Sequence, residues 1–329
     1  MQNSKTKKKL KFIDFCAGIG AGRLGLEKNG LQCVGFSEID KNSEKTYREF
    51  FGHDEINFGD LMKIDTKQMP DFDLMIAGFP CQTFSIVGQR KGMTDDRGQI
   101  IFGLIKIMLE KNLKYFILEN VKGLVNHDKG RSLRIILEEL DKAGYKVVFN
   151  KVLNSEHYGV PQMRERIYFV GIRKDLVKND DLGFIDLPDK PKLSKYLIDD
   201  DISFEFNENN SAFKTFKRYL NNKYNKGNYN LDDLLEKDYT VLDTRQSDLR
   251  IYKNKVPTLR TGRHGILYVK KGKLRKLSGF ESLLLQGFPK EKAKKVKDTV
   301  SNTHLLSQAG NAMTVSVIER IGQNLLNII

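Results

Sequence analysis

The first 173 residues alternate short apolar runs with helical patterns, and few folds accept that rhythm. Strands are expected at Lys11–Cys16, Cys33–Ser37, Asp73–Ala77, Tyr115–Leu118, Val147–Leu153 and Ile167–Ile172. Helical stretches lie between them, near Gly22–Asn29, Asn42–Phe51, Gln99–Glu110 and Ser132–Ala143. Strand, crossover helix and strand in that order form the unit of an α/β fold built on a doubly wound, mostly parallel sheet. In such sheets ligands bind beyond the carboxyl ends of the strands. Those ends are polar here. The first runs into Cys16-Ala17-Gly18-Ile19-Gly20-Ala21-Gly22, the second ends at Glu38, and a short extended piece ends at Gly59-Asp60. The next two end at Gly78-Phe79-Pro80-Cys81-Gln82 and at Glu119-Asn120-Val121. Glycines, carboxylates and thiols thus gather on one rim.

After Arg173 the rhythm stops. Residues 174–240 are rich in Asp, Asn and Lys, with an acidic run from Asp199 to Asp201, and read as loops and short elements of a second unit. Residues 241–277 read as short strands with glycine turns. From Arg245 to Lys276 there are eleven Lys or Arg against the single acid Asp248. A stretch that one-sided suits a phosphate-tracking surface, or else a plain solvated face. The whole chain of 329 residues carries a formal charge of +14, which points to a polyanionic partner, nucleic acid being the commonest. The last segment, Ala312 to Ile328, has a helical apolar face at Val315, Ile318, Ile321 and Leu325.

Several classes are disfavoured. No apolar run reaches the roughly 18 residues of a membrane span. The basic start, Lys5 to Lys11, lacks the apolar stretch of a signal peptide. Cys16, Cys33 and Cys81 form no C-x-x-C pair and are odd in number, which argues against a disulfide framework or a zinc site and for a reducing compartment.

The residues on the rim carry definite chemistry. The glycine segment lets a ligand approach backbone at a helix start, although Arg23 stands where a dinucleotide fingerprint wants its third glycine. Glu38, twenty residues past Gly18, is spaced to bind ribose hydroxyls, and Asp60 to accept from an adenine amino group. A ribose is common to NAD and S-adenosylmethionine, so spacing alone leaves both open. Cys81 follows a proline at a strand end, and a polar, glycine-containing segment, Val87 to Gly98, follows it with the composition of a lid.

Gly78-Phe79-Pro80-Cys81-Gln82, Glu119-Asn120-Val121 and Gln162-Met163-Arg164-Glu165-Arg166, in that order, resemble the DNA cytosine-5 methyltransferase family of restriction–modification systems. So do Tyr158-Gly159-Val160-Pro161, Arg275-Lys276-Leu277-Ser278 with Glu281, and Gly310-Asn311-Ala312-Met313. The likeness covers residues 11–173 and 275–320. It departs at Cys16, where the family usually has a phenylalanine, and at Ile39, where it often has a larger apolar side chain.

The resemblance implies a Rossmann-like S-adenosylmethionine-dependent methyltransferase fold. A catalytic domain of 1–173 completed by 303–329 would carry a smaller target recognition domain of short strands and loops, 174–302. It implies S-adenosylmethionine as methyl donor, S-adenosylhomocysteine as product, and no metal. Its pocket would involve Cys16, Gly18, Ile19, Gly20, Glu38, Ile39, Asp60, Leu61, Pro80, Asn311 and Ala312. Cys81 would be the nucleophile adding to carbon 6 of a flipped-out cytosine. Glu119 would protonate ring nitrogen 3 or hydrogen-bond to it, provided burial keeps the acid protonated. Arg164 and Arg166 would hold the base and position Glu119 or Cys81. DNA contacts are expected from Gln82, Ser85, Arg97, Arg245, Thr258, Arg260, Arg263 and His264. The expected partner is double-stranded DNA, met by a cytoplasmic monomer of bacterial or phage origin, with a cognate endonuclease for the same site. Three other readings compete: an RNA cytosine-5 methyltransferase, an inactive DNA-binding regulator on the same fold, and an NAD-linked thiol enzyme. The first should carry a Cys-Phe-Thr tripeptide, which is absent. The second tends to lose the Pro-Cys or the acid. The third leaves Arg23 and the Gln-x-Arg-x-Arg run unexplained.

Overall fold

The structure, a computed structural model, describes residues 9–79, 100–183, 191–221, 229–245 and 249–329. The chain forms two compact units. The first comprises Met1–Leu153, Glu165–Ile185 and Met313–Ile329, and the second Asn154–Arg164 and Asp186–Ala312. This differs from the expected division in placing residues 154–164 and 303–312 with the second unit. The reason is local: Gln162 and Arg164 make their side-chain hydrogen bonds to residues 259, 285–286 and 310–312 of that unit.

The first unit follows the expected rhythm. Its elements are β1 (Lys11–Phe15), α1 (Ala21–Glu27), β2 (Gln32–Ser37), α2 (Lys41–Phe51), β3 (Leu74–Gly78), α3 (Ile100–Glu110), β4 (Tyr115–Val121), α4 (Arg131–Lys142) and β5 (Tyr145–Asn154). After the short strand β6 (Gln162–Met163) of the second unit comes β7 (Glu165–Arg173). The sheet order is β2-β1-β3-β4-β7-β5. β1, β2, β3 and β4 pair in parallel, and β7 runs antiparallel to β4. β1 and β3 are buried nearly end to end, as strands covered on both faces must be. Ile13 and Phe15, Met75 and Ala77, and Phe116 and Leu118 share a core with Leu104, Ile107 and Met108 of α3 and Leu140 of α4. The i, i+2 spacing in the strands and the i, i+4, i+8 spacing of Ser132, Ile136 and Leu140 in α4 are the periods of the two element types.

The second unit holds α5 (Phe213–Leu220), α6 (Leu231–Leu235), β8 (Thr240–Asp243), β9 (Arg250–Lys253), β10 (Val256–Pro257), β11 (Ile266–Lys270), β12 (Lys273–Lys276), α7 (Gly279–Leu285), α8 (Lys290–Lys297) and α9 (Asn302–Asn311). Four strands form an antiparallel sheet in the order β12-β11-β8-β9. Lys271 and Gly272, both at positive φ, turn β11 into β12. The segment 174–240, expected to be loops and short elements, contains two helices. Phe213, Phe216 and Leu220 of α5 bury one face against Phe206, Leu242 and Leu267. A stripe of three residues in an eight-residue helix is too short to stand out among the surrounding Asn and Lys. The chain ends in α10 (Val315–Ile328), which belongs to the first unit and buries Val315, Ile318, Ile321 and Leu325 as expected.

A buried acid anchors the second unit. Ser278 caps α7 by accepting from the Glu281 N–H, and Glu281 accepts in return from the Ser278 N–H. The same carboxylate accepts from the Asp199 N–H at 2.9 Å and the Tyr268 hydroxyl at 2.8 Å. Burial, only partly offset by these donors, pushes Glu281 up from 4.5 to about 7. A raised folded-state value contributes stability that is complete below 4.5 and is lost as pH rises through about 7. Thermal melts should therefore show stability falling between pH 5 and pH 8. In Glu281→Gln that slope should flatten; an unchanged slope would show that Glu281 does not set it.

Candidate active site

The strand ends of the first unit's sheet carry most of the residues singled out from the sequence, and in the second unit Arg164 is buried. In the first unit, β1 ends at Cys16, whose φ of 49° lies in the left-handed region. Gly18 and Gly20 continue the turn at φ 55° and 82°. Gly20 also caps α1, and a Cβ there would stand 2.3 Å from the Phe51 ring, so only glycine fits. Ile19 is buried beneath the turn. Glu38, at the end of β2, reaches back so that its carboxylate accepts from the Gly18 N–H at 2.7 Å. Its other oxygen accepts from the Ile39 and Asp40 N–H groups at 2.8 Å each. Burial raises Glu38 above the usual carboxylate range against the pull of those donors.

Ile39 is 70% exposed beside this carboxylate, an apolar side chain facing out at a strand end. Asp60 caps the short turn that follows it through the Met62 N–H, and Leu61 is buried behind it. Asn57 fixes Glu38 from the neighbouring segment, accepting from its N–H at 3.1 Å and donating to its carbonyl at 3.0 Å. The sequence reading missed Asn57, although it placed the extended piece that carries it. It also missed Asp14, a charged residue inside the apolar run of β1. Asp14 is fully buried and accepts from the Arg23 N–H at 3.1 Å, tying the strand to the start of α1. Burial drives its carboxyl well above the ordinary range.

Neither described cysteine is poised to ionise. Burial, and then the charges of Glu38, Asp14 and Asp60, push the Cys16 thiol up to about 12. Burial pushes Cys33 to about 12 as well. Arg23, at the fingerprint's third-glycine position, is buried over Phe51 at 4.2 Å and paired with Glu27 and Glu55.

Further along the rim, parallel pairing sets Gly78 of β3 opposite Glu119 of β4. A Cβ on Gly78 would stand 3.1 Å from the Met313 side chain and 3.4 Å from Glu119 Oε2, so that carboxylate edge lies over the glycine at contact distance. In the antiparallel pairing Arg166 of β7 lies opposite Val121, one diagonal step from Glu119. Its Nε meets Glu119 Oε1 at 3.1 Å, with both side chains largely buried. The Phe79 N–H donates to the Glu119 carbonyl at 3.3 Å, and the Asn120 amide donates to the Phe79 carbonyl at 2.9 Å. The chain is therefore fastened beside Glu119 two residues before Cys81. Pro80, Cys81, Gln82, Ser85 and Arg97 lie outside the described residues, as does the lid segment Val87 to Gly98.

In the second unit Arg164 is 1% exposed. It donates to three main-chain carbonyls: Leu259 at 3.2 Å, Gly310 at 3.2 Å and Ala312 at 2.7 Å. Gln162 accepts from the Leu259 N–H at 3.1 Å and donates to the Leu285 carbonyl at 2.9 Å. Asn311 accepts from the Thr261 hydroxyl at 2.5 Å. Thr258 donates to the Met163 carbonyl at 2.5 Å. Arg260 and Arg263 are exposed, and half-buried His264 faces the Ser307 hydroxyl at 3.3 Å. Burial and the neighbouring Arg245 charge lower the His264 pKa. Arg245, expected at the DNA surface, turns inward, with only 6% of its side chain exposed.

The basic stretch is also less bare than its local composition implies. Of its eleven cations, Arg245, Lys255, Lys270, Lys273 and Arg275 pair with Asp243, Glu156, Asp200 and Glu205. The acids come from outside the stretch, so a count along the chain could not find them.

A family model for C-5 cytosine-specific DNA methylases matches residues 10–327. The orphan methyltransferase M.SPRI of Bacillus phage SPR is 42% identical over 66% of this chain, a match that spans 52% of that relative's length. The Type II methyltransferase M.DsaV of Dactylococcopsis salina is 35% identical over 98% of this chain and 88% of its own. The crystal structure of a Spodoptera frugiperda DNMT2 mutant superposes with a TM-score of 0.71 at 18% identity, covering 97% of this chain and all of that one, a likeness of fold.

Arg164→Met would strip three carbonyls of their charged donor. The expected cost is roughly 3 kcal/mol or more in denaturant unfolding. A loss below about 1 kcal/mol would mean that water or a neighbour replaces the arginine.

Proposed function

The chain belongs to the C-5 cytosine-specific DNA methylase family, and from that premise we propose that it transfers a methyl group from S-adenosylmethionine to carbon 5 of a flipped-out cytosine in duplex DNA, through a covalent adduct of Cys81. The observation that carries the proposal is the Glu119–Arg166 pair beside Gly78, on the strand end that leads into Cys81. The glycine turn held by Glu38, with exposed Ile39 and the capping carboxylate Asp60, fits a nucleoside bearing a charged tail. Gly18, Ile19, Gly20, Glu38, Ile39, Asp60 and Leu61 would hold the donor, with Cys16 under the turn. Pro80, Asn311 and Ala312 are proposed as donor-binding residues on the family likeness alone. S-adenosylmethionine supplies, when bound, an electrophilic methyl on a sulfonium.

The remaining chemistry falls to the protein. The Cys81 thiolate adds to carbon 6, which breaks the ring's aromaticity and makes carbon 5 nucleophilic. Glu119 meets the negative charge that develops at ring nitrogen 3 with a proton or hydrogen bond from its Oε2 edge. Arg166 pairs with the opposite oxygen by charge at 3.1 Å. After methylation water takes the carbon 5 proton, and the electrons of that C–H bond form the carbon 5–carbon 6 double bond as the carbon 6–sulfur bond breaks, which restores the ring and releases the Cys81 thiolate. A base in the duplex is out of reach of such a pocket, so the cytosine must be extruded.

The catalytic part is assigned to 1–173 with 303–329, and target recognition to 174–302. Arg260 and Arg263 are the exposed base-reading candidates there, with Thr258 and His264 on the same loop. Gln82, Ser85 and Arg97 are proposed as further DNA contacts on the family likeness. The enzyme would act as a cytoplasmic monomer within a restriction–modification system, beside an endonuclease for the same site. Among the described residues no helix is long and apolar enough to cross a membrane.

Cys81→Ser should abolish methyl transfer while leaving DNA binding intact, and full activity in that variant would end the mechanism. Wild-type enzyme should form a stable adduct with target DNA containing 5-fluorocytosine, because fluorine cannot leave as a proton does. Glu119→Gln should lower turnover roughly 10²–10⁴-fold, the usual worth of a positioned acid; near-wild-type turnover would remove Glu119 from the reaction. Bisulfite sequencing of plasmid from expressing cells reads both the activity and the site.

A further inference from the structure

The loop 258–264 that carries Arg260 and Arg263 leaves β10 and returns as β11. Two residues that follow β8 clamp both of its ends. Arg245 grips Asp243 through two parallel bonds, Nε to Oδ1 at 2.7 Å and Nη2 to Oδ2 at 2.8 Å. Its remaining terminal nitrogen, Nη1, donates to the Thr258 carbonyl at 2.8 Å. At the other end Thr244 donates to the Gly265 carbonyl twice, through its N–H and its hydroxyl, each at 2.9 Å. The midpoint is tied by Thr261, whose hydroxyl reaches the Ser307 carbonyl at 3.0 Å as well as Asn311. Both members of the Arg245–Asp243 pair have 6% of their side chains exposed. A guanidinium so engaged has its planar fork filled within the unit, and only a planar fork can serve a carboxylate and a carbonyl at fixed angles together.

We propose that Arg245 is a positioning residue for DNA recognition: locked on Asp243, it fixes the Thr258 carbonyl and so sets the frame in which loop 258–264 presents Arg260 and Arg263 to the bases. The inference rests on the methyltransferase reading above, and its test has an arm that does not. Arg245 touches no DNA in this scheme. Its removal should loosen the loop, weaken discrimination at every position the loop reads, and leave the electrostatic part of binding alone.

The experiment uses the full chain as wild type, Arg245→Lys, Arg245→Met and the milder Asp243→Asn, which keeps the arginine but removes the charge that holds it. Hydrogen exchange of the 258–265 amides is read first and needs no activity. Faster exchange confined to that loop, with the rest of the chain protected, is expected in each variant. Wild-type protection in Arg245→Met, or in Asp243→Asn if Arg245→Met does not fold, overturns the proposal. Methyl transfer is then compared on duplexes carrying the mapped site and on duplexes with single base changes. The ratio of kcat/KM values should fall roughly tenfold or more at several positions, and lysine should not rescue it. The slope of binding against salt should stay at the wild-type value. A loss at one base pair only would mean that Arg245 reads that base. A slope lowered by about 1 would mean that it contacts a phosphate. Either result overturns the proposal. Failure of wild type to make 5-methylcytosine would overturn the function and leave the exchange arm to decide the loop.

Discussion

One antiparallel strand decides what the rim of the sheet can do. β1, β3 and β4 run parallel, so their carboxyl ends collect Cys16, Gly78 and Glu119 on one edge. A parallel neighbour of β4 would deliver its own carboxyl end there. β7 instead enters at that edge, and its second residue, Arg166, lands one diagonal step from Glu119. The ion pair is therefore a consequence of strand direction and register. A register slip of one residue would turn Arg166 to the other face and undo it. The same pairing puts Gly78 against Glu119 and ties Phe79 to both Glu119 and Asn120. The acid, its cation and the chain as far as Phe79 are thus held by main-chain geometry, the preorganisation that the proposed reaction would require.

The sequence made this edge legible because strands and their ends have local signals. Apolar runs of about five residues ending in Gly, Glu or Asn are read from composition alone. That gave β1 to β5 and β7 to within a few residues, together with the Gly18–Glu38 spacing that became a hydrogen bond. What stayed hidden depends on residues distant in sequence. The antiparallel direction of β7 leaves no trace in its own composition. Asn57 is fixed to Glu38 across nineteen positions. The surplus from Arg245 to Lys276 looked bare because its counter-ions sit at 156, 200, 205 and 243. The acidic run near Asp199, read as loop, serves that purpose: Asp199 and Asp201 accept Arg275 through their carbonyls, while Asp200 pairs with Lys270. A motif match named Arg164 and Arg166 together, yet the two do different things. Arg164 is buried against carbonyls, and only Arg166 meets the acid.

The second unit invests heavily in buried polar contacts, and this needs a reason. Its four-stranded sheet and short helices have a modest core. Replacing a buried charge together with all its polar partners by apolar groups would often leave stability unchanged, because desolvating a charge offsets most of what pairing returns, whereas removing the charge alone strands its partners. Such residues contribute direction. Arg164 orients three carbonyls, Arg245 one carbonyl and one carboxylate, and Glu281 two N–H groups and a hydroxyl. Each bond is angular, whereas apolar packing would let the same loops settle in several nearly equal ways. Reading a base edge through hydrogen bonds tolerates only small displacements of the reading side chain. A loop of mostly polar residues has no core of its own to hold it to that standard. Fixing its carbonyls on buried guanidinium groups narrows the ways such a segment can settle, and on the proposed reading that is what the unit's buried charges contribute where burial works against them.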